Sequence, residues 1–531
     1  MLREYQVHDL AYYIANERCL NLSDPGTGKT PSVCAYLYWM WSYQQERSVW
    51  VMPTSLLEKN RDELLRFSSF QPSDVTIVQG RTDNQTLIEV VQMAAAGRLS
   101  MTLKEQKVRP GRPAKLVPRF IVEPEKAGKK PTPISAEAVE KARKKALVAV
   151  PEEPGPVPIT QAGVQALEQK LIDPFHGSDA KAFLMGFDTF AEQWPHLLER
   201  YPNINLVAVD ELHMGFSTAK SKRTESWFRS MKKIDRFVGM TGTLIDGRYS
   251  SAYPAIHVIE PRYYGSEANF IATHAELDFY GNIIGWQKPE KIRAILAKHS
   301  VRHTFEEVYG PEAKIIIPEP VSMSPKQAKM YEVLHEKALI ELEDSFVDAG
   351  APGVFAIRAR QILAHPEVFE CDEPTGKDEW LEIKYADPGP AVVFACFKPE
   401  QERLQRLAAK SGRRAGLMNG DTSPKERERL SQMFQAGDLD TMICSQKVAA
   451  VGFNWHHTEW MTFTSIDYQD SSFFQAYRRA IRGKRGKALR IYVPQYRDSI
   501  DYRIFEIVER KSREAAAVDP TREVFSLAAN E

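Results

Sequence analysis

The sequence predicts an α/β protein with parallel sheets, and three observations predict it. Short apolar runs alternate with amphipathic stretches from Ser48 onward. A glycine-rich turn, Ser23-Asp24-Pro25-Gly26-Thr27-Gly28-Lys29-Thr30, opens a helix-like stretch. A second alternation of the same kind starts at Ala391. Apolar strands joined through helices are the pattern of a parallel sheet covered on both faces.

The chain opens on Leu2-Arg3-Glu4-Tyr5-Gln6. This reads as the start of an amphipathic helix or as an adenine-contacting segment, since the Gln6 amide can both donate to and accept from an adenine edge. The glycine-rich turn reads as a phosphate-binding loop. Gly26 and Gly28 let backbone amides approach an anion around Thr27. Lys29 supplies charge for the β- and γ-phosphates, and the Thr30 hydroxyl can ligate Mg²⁺. The helix behind the loop adds its N-terminal dipole. The usual pattern has a further Gly where Ser23 stands, so only the G-x-G-K-T half is intact. Ser48–Pro53 reads as a buried strand and Val75–Val78 as another. Between them Leu56–Phe67 is helical, with Leu57, Leu64 and Phe67 interleaved with Glu58, Lys59, Arg61 and Asp62.

The composition then shifts. Lys104 to Lys145 holds thirteen Lys/Arg against five Asp/Glu, with prolines at 110, 113, 118, 124, 131 and 133. Proline density of this order argues against long helices and central strands, so residues 98–178 are expected to form a basic, proline-rich insertion, either partly disordered or a small module. Within it, Arg109-Pro110-Gly111-Arg112-Pro113-Ala114-Lys115 resembles an AT-hook, which lies in a narrow minor groove. The alternative is a solvated basic linker.

Order returns at Ala182–Phe187, a strand, and at Asn205–Val209, a strand that ends in Asp210-Glu211-Leu212-His213. Ligands of open α/β sheets bind at the C-terminal ends of strands. There one acid can hold Mg²⁺ and its neighbour can polarise a water. Phe237–Leu244 is again a strand, ending in Thr241-Gly242-Thr243, which reads as a tight turn or as a hydrogen-bonding relay beside a nucleotide. In the second half, strands are expected at Ala391–Ala395, Ala415–Met418, Thr441–Cys444 and Trp460–Phe463, and helices at Pro399–Lys410 and Pro424–Gln435. Helical spacing over Gln475–Arg482 would set Gln475, Arg479 and Arg482 on one face.

The bulk properties exclude some classes. The 531 residues suffice for about two to four domains. Formal net charge is zero, so a nucleic-acid partner must be argued from local patches. Five scattered cysteines form no C-x-x-C pair, and no run of about 18 apolar residues occurs. A soluble, intracellular, reduced protein is expected.

These stretches, in this order, resemble a superfamily 2 helicase of the Snf2 group of duplex-DNA translocases. The resemblance rests on the stretches at Leu2–Gln6, Gly26–Thr30, Asp210–His213, Thr241–Thr243, Gly420-Asp421-Thr422-Ser423, Gly452-Phe453-Asn454 and Gln475–Arg482. Val301-Arg302-His303, Val321–Gln327 with Tyr331, and Arg360-Gln361-Ile362-Leu363-Ala364-His365-Pro366 favour the Snf2 branch. The resemblance implies two RecA-like lobes with ATP and Mg²⁺ between them. The first would span residues 1–260 around the 98–178 insertion, a connecting segment 261–300, and the second 301–531. It implies that Gln6 contacts adenine and that Gly26, Thr27, Gly28, Lys29 and Thr30 cradle the phosphates. Asp210 and Thr30 would hold Mg²⁺, and Glu211 would activate water. Arg479 and Arg482 would be arginine fingers with Gln475 beside them, and Gly452 and Asn454 would lie near the nucleotide. His213, Thr241, Gly242 and Thr243 would couple the lobes.

One departure is that Ser23-Asp24-Pro25 replaces the acidic D-E-M lead of typical remodellers. The long helical insertions between the lobes are reduced. The expectation is therefore a compact ATP-dependent translocase of bacterial or phage type, acting on duplex, branched or protein-bound DNA with little sequence specificity. The alternatives are a strand-separating DNA or RNA helicase, for which no wedge hairpin is identifiable in the sequence, and a nucleotide-gated DNA-binding scaffold with little turnover.

Overall fold

The computed structural model describes every residue except 1, 79–89, 107–114, 123–131, 135–138, 141, 144–147, 152, 162–178, 246, 312–313, 348–352, 450–452, 454, 468–469, 479, 482–486 and 521–531. The described chain divides into two compact units, residues 1–36 with 207–531, and residues 37–206. In chain order the strands are β1 (Arg18–Asn21), β2 (Arg47–Met52), β3 (Val75–Ile77), β4 (Leu99–Gln106), β5 (Lys115–Val122), β6 (Thr132–Ile134), β7 (Gly155–Pro156), β8 (Ala182–Gly186), β9 (Ile204–Val209), β10 (Arg236–Met240), β11 (Ala275–Leu277), β12 (Ile283–Trp286), β13 (Ser300–Val301), β14 (Lys314–Val321), β15 (Ala391–Phe394), β16 (Ala415–Met418), β17 (Thr441–Cys444), β18 (Trp460–Phe463) and β19 (Leu489–Tyr496).

The first unit holds two sets of parallel strands. One runs in the order β13-β1-β10-β9, with β1 parallel to both β10 and β13. The other is a six-stranded sheet, β14-β19-β18-β15-β17-β16, parallel at every pairing. The inner strands of the six are short apolar runs because both of their faces are covered. Alternation divides them between two cores. Val392, Phe394, Met461, Phe463, Ile491 and Val493 pack with Phe473, Ile504 and Val508. Val393, Ile443, Trp460 and Tyr492 pack on the other face with Leu381 and Leu404. Helix starts are set by side chains the sequence supplies. Thr304 and Thr375 each form a capping box, with Glu307 and Asp378, and Ser423 and Ser499 accept first-turn amides.

The second unit holds the parallel set β2-β8-β3 and a separate antiparallel sheet, β6-β5-β4-β7. This antiparallel sheet corrects an expectation. The proline-rich stretch does supply a central strand, since β5 has partners on both sides and contains Pro118. Among the described residues β6 pairs only with Phe120–Val122, so the described partner of Pro118 is β4 alone, where a proline costs no second ladder bond.

Two further differences lie between residues 261 and 301. Residues 261–300 are built of two helices, Glu267–His274 and Pro289–His299, around an antiparallel hairpin of β11 and β12. Ser300–Val301 does not leave with the six-stranded sheet but forms the edge strand beside β1, pairing with Leu20 and Asn21. Among the described residues no helix is long and apolar enough to cross a membrane.

The six-stranded sheet also carries a buried ion pair. Lys377 Nζ donates to Asp501 Oδ2 and to the Thr464 carbonyl, each at 2.7 Å. Asp501 also accepts the Tyr496 amide at the end of β19. Removing one member of such a pair leaves a buried charge without its counter-ion. Lys377→Met is expected to destabilise this sheet by about 3 kcal/mol, seen as a lower midpoint in urea unfolding followed by tryptophan fluorescence. A midpoint within experimental error of the wild type would refute this.

Candidate active site

The candidate phosphate loop, Ser23–Thr30, runs from the end of β1 into the helix Lys29–Gln44. Gly26 and Gly28 both sit at φ +88°, in the left-handed region that a side chain disfavours. A Cβ on Gly28 would come 2.9 Å from Gln6 Nε2, while the space beside Gly26 is open. Gln6 is buried against this loop. Its amide donates to the Gly28 carbonyl at 2.8 Å and accepts from the Arg3 amide at 2.9 Å. The Tyr5 hydroxyl donates to the Thr27 carbonyl, and the Tyr309 hydroxyl donates to that of Gly26 at 3.2 Å. Thr27 is buried, its hydroxyl bonded to the Asp24 carbonyl at 2.8 Å. Lys29 donates to the Ser23 and Asp24 carbonyls at 2.8 and 3.1 Å. Burial pushes its pKa down, and the carboxylates of Glu211, Asp210 and Asp24 oppose that shift in part. Thr30 is the next residue, in the first turn of the helix.

The acidic pair stands at the C-terminal end of β9. Asp210 Oδ1 accepts the Glu211 amide at 3.0 Å. Glu211 itself takes φ +48°, ψ +51°, a left-handed conformation that costs a residue with a side chain roughly 1 kcal/mol or more. The fold therefore holds Glu211 in an aim that the chain alone would not choose. His213 Nδ1 lies 3.6 Å from Glu211 Oε2, 2.9 Å from Thr241 Oγ1 and 3.3 Å from Thr243 Oγ1. Gly242 stands between the two threonines, where a Cβ would come within 2.6 Å of the Pro25 ring. Only glycine lets the end of β10 approach the phosphate loop this closely. His213, Thr241, Gly242 and Thr243 thus form one cluster with the acidic pair. From the six-stranded side, Gln475 Nε2 donates to Thr243 Oγ1 at 3.3 Å.

The expected helix over Gln475–Arg482 is not continuous. It runs from Asp470 to Tyr477, and the Ala480 amide then closes a turn on the Tyr477 carbonyl. The turn brings in Arg478, which helical spacing alone does not single out. Its guanidinium lies 3.3 Å from Asp24 Oδ2, and both residues are buried. Arg302 Nη2 lies 3.4 Å from the other Asp24 oxygen, and the Phe305 amide donates to Oδ2 at 3.0 Å. Burial pushes the Asp24 pKa up, but Arg478, the Phe305 amide, Arg302 and Lys29 outweigh it and hold the carboxyl below its ordinary range. A signal for Arg478 was present in the sequence. An acid inside a phosphate loop is a buried anion that needs a cation. Arg479, Arg482, Gly452, Asn454 and residues 109–114 of the AT-hook-like stretch lie outside the described residues, and Lys115 is described only as the first residue of β5.

The donors suit Mg²⁺. The Thr30 hydroxyl and the Asp210 carboxylate are hard oxygen ligands, and Mg²⁺ usually takes one or two of these together with substrate phosphates and water. Among the described residues no group of three or more His, Cys, Asp or Glu could form a dedicated metal cage. The open space beside Gly26 matches a loop that closes on an anion.

Residues 377–484 match the family model of the helicase conserved C-terminal domain. A Bacillus subtilis (strain 168) protein named as an ATP-dependent helicase/translocase, YwqA, is 24% identical over 271 residues, 47% of this chain and 28% of its own. The chromatin remodeling factor mit1 of Schizosaccharomyces pombe is 21% identical over 320 residues, 54% of this chain and 22% of its own. The solved Sulfolobus solfataricus SWI2/SNF2 ATPase core in complex with dsDNA aligns over 100% of this chain and 98% of its own, at 14% identity and TM-score 0.37. The alignments with YwqA and mit1 take in less than a third of either protein's length.

The buried Asp24–Arg478 pair is expected to hold the Gln475–Arg478 turn to the phosphate loop. Asp24→Asn and Arg478→Ala should each destabilise the protein by about 2 kcal/mol or more, and the double variant by clearly less than their sum, a coupling of roughly 1–3 kcal/mol. A double-mutant cycle on unfolding free energies checks this, and additive effects would sever the pair.

Proposed function

We infer that this chain, a Snf2-like member of helicase superfamily 2, hydrolyses ATP and uses the hydrolysis to move along duplex or branched DNA. One observation carries the reading. The phosphate loop meets Arg478 at Asp24, and Thr243, in the cluster beside the acidic pair, meets Gln475, both from the segment that packs on the six-stranded sheet. A nucleotide site assembled from both sheets is what a motor needs, because changes at the phosphates then alter the contacts between them.

In this reading Lys29 and the amides of Gly26–Lys29 bind the phosphates, and Thr30 and Asp210 hold Mg²⁺. The ion, when bound, neutralises phosphate charge. Glu211 accepts a proton from the attacking water, its carboxylate aimed by the left-handed backbone. His213 stands 3.6 Å from Glu211 and shares hydrogen bonds with Thr241 and Thr243, and Thr243 accepts from Gln475, so in this reading the cluster couples the chemistry to the six-stranded sheet. Arg479 and Arg482 neutralise charge that develops on the transferred phosphoryl group, Gly452 and Asn454 border the nucleotide, and Gln6 lies on the adenine side. Phosphate contacts track the DNA backbone, so binding depends little on sequence. The basic stretch Arg109–Lys115 adds minor-groove contact.

Glu211→Gln should lower kcat by roughly a hundredfold to ten-thousandfold while leaving nucleotide affinity near wild type, because an amide cannot take the proton. Steady-state hydrolysis and titration with a fluorescent ATP analogue measure the two, and wild-type turnover would remove Glu211 from this role. Duplex and forked DNA should stimulate hydrolysis more than RNA or single strands of equal nucleotide content, compared at one ionic strength. ATP, but not a non-hydrolysable analogue, should drive displacement of a triplex third strand. Stimulation by RNA or single strands alone, without triplex displacement, would replace the translocase reading with a strand-separating helicase.

A further inference from the structure

A cavity of about 320 Å³ lies behind the candidate phosphate loop, between the helices Pro289–His299 and Ile500–Val518 and the ends of β1 and β10. Its walls are apolar. Leu22, Leu244, Ile245, Leu296, Ala515 and Val518 line it, and all of them are buried. The cavity is distinct from the candidate nucleotide site: Gln6, Gly26, Lys29, Asp210 and Glu211 are not among the described residues that line it. A volume of this order suits a small molecule, and sites for small molecules combine apolar walls with a few polar groups that fix orientation.

The polar lining has one charge left over. Arg302 and Asp519 both line the cavity but pair with each other, and Arg302 also donates to the Leu22 carbonyl at 2.8 Å and lies 3.4 Å from Asp24 Oδ1. The Ser300 hydroxyl is spent on the Leu296 carbonyl at 2.7 Å. Arg293 differs. Among the described residues its one hydrogen bond runs from Nη2 to the Ala517 carbonyl, and it forms no ion pair. Nε and Nη1 of this guanidinium therefore keep their donors. Arg293 and Ala297 stand one helical turn apart, exposed at the edge of the cavity. Two acids share these surroundings without cancelling the charge. Glu290 and Glu514 act with Arg293 on the Tyr249 hydroxyl, yet neither is among the described residues that line the cavity, and Glu514 lies 3.7 Å from Arg510 Nε.

We propose that this cavity binds a small molecule with an apolar body and a single anionic head, a carboxylate or sulfonate, held by the Arg293 guanidinium. Guanidinium N–H groups meet such an oxyanion side by side, which fixes orientation as well as adding affinity. The walls select the body, since enclosure between Leu296 and Val518 removes apolar surface from water. A nucleotide is not the occupant, because one unspent guanidinium cannot neutralise several charges among apolar walls. The walls come from three parts of the fold: Leu22 beside the loop, Leu296 on one helix and Val518 on the other. An occupant therefore bridges them. It also lies against Arg302, which reaches Asp24, and so bears on the charge around the candidate phosphate loop.

The site goes beyond the ATPase reading, and its test needs no hydrolysis. The probes are anilinonaphthalene sulfonate and its neutral counterpart, phenylnaphthylamine, titrated into the full chain and followed by fluorescence. Wild type should bind the sulfonate saturably and at least about tenfold more tightly than the neutral probe. Arg293→Ala should bring the two affinities together, while Arg293→Lys should keep most of the difference. Ala297→Phe, a substitution at an exposed position that fills the mouth, should weaken both probes by about tenfold or more. Urea midpoints near the wild-type value establish that the variants are folded. Equal affinity of the wild type for the two probes would overturn the proposal, and that comparison needs no variant. Wild-type affinity in Ala297→Phe would place the probes elsewhere on the protein and overturn it as well.

Discussion

The carboxylate of Asp24 is the interaction on which this structure turns. It sits inside the phosphate loop and receives Arg302, Arg478 and the Phe305 amide, while its own backbone amide donates to the His303 carbonyl. Arg302 and His303 come directly after β13, the edge strand of the first set, and Arg478 comes directly after the last helix before β19. One acid thus ties the loop to chain segments about 280 and 450 residues away in sequence. A buried carboxylate with a single partner would be a weak device, because desolvation consumes most of the Coulombic gain. Two guanidiniums and a backbone donor change that balance and leave the acid ionised below its ordinary range.

The same loop is held from its other side by a polar layer. Ser23 Oγ accepts the His303 amide at 2.9 Å, and the Ser23 amide donates to Asn21 Oδ1 at 3.0 Å. Asn21 reaches Tyr13 at 2.6 Å and Asp9 at 3.3 Å, and Asp9 lies 2.8 Å from His303 Nε2. Burial raises the pKa of Asp9, and the His303 contact opposes it. The substitution of Ser for the usual glycine at position 23 is intelligible here. Its hydroxyl serves as an acceptor in the layer, so a small polar residue does what a bare backbone could not. Gly242 against Pro25 completes the enclosure, since any side chain there would separate the end of β10 from the loop.

Much of the α/β core was legible in the sequence because parallel strands buried on both faces are continuous apolar runs. Ser48–Pro53, Ala182–Phe187, Ala391–Ala395 and Thr441–Cys444 all lie on strands within one or two residues of their expected limits. The Gly26–Thr30 loop, the acidic pair and Thr241–Thr243 stood out in the sequence as candidates because each sets particular residue types in short order, and the structure brings them together. The features that escaped have no period. A two-residue strand, Ser300–Val301, has no alternation to read. The hairpin has strands of three and four residues, a bulge at Glu276/Leu277 and apolar side chains facing water, so it violates the patterning that reveals hairpins elsewhere. Its one signal was the turn chemistry of Asp278, Gly281 and Asn282. The end of the helix at Tyr477 was hidden for another reason. The arginine-rich stretch keeps helical spacing beyond it, and only the tertiary demand of Asp24 for Arg478 distinguishes turn from helix.

The hairpin and the candidate nucleotide site are joined by very little chain. Trp286 leads through Gln287 and Lys288 into the helix Pro289–His299, which leads directly into β13, Arg302 and His303. That helix is fixed by Ile292, Ile295 and Leu296 on its buried face. Its Arg293 donates to the Ala517 carbonyl near the end of the helix Ile500–Val518, whose first turns belong to the core of the six-stranded sheet. Asp519, just past that end, pairs with Arg302. Arg302 therefore stands where three structural lines meet: the hairpin helix, the C-terminal helix and the phosphate loop. A shift of the C-terminal helix cannot leave Arg302 unchanged without breaking the Asp519 pair, and a shift of Arg302 alters the charge around Asp24. Close-packed interiors transmit such displacements instead of absorbing them. A short chain of ion pairs and one well-anchored helix thus links the hairpin, the C-terminal helix and the loop around Asp24.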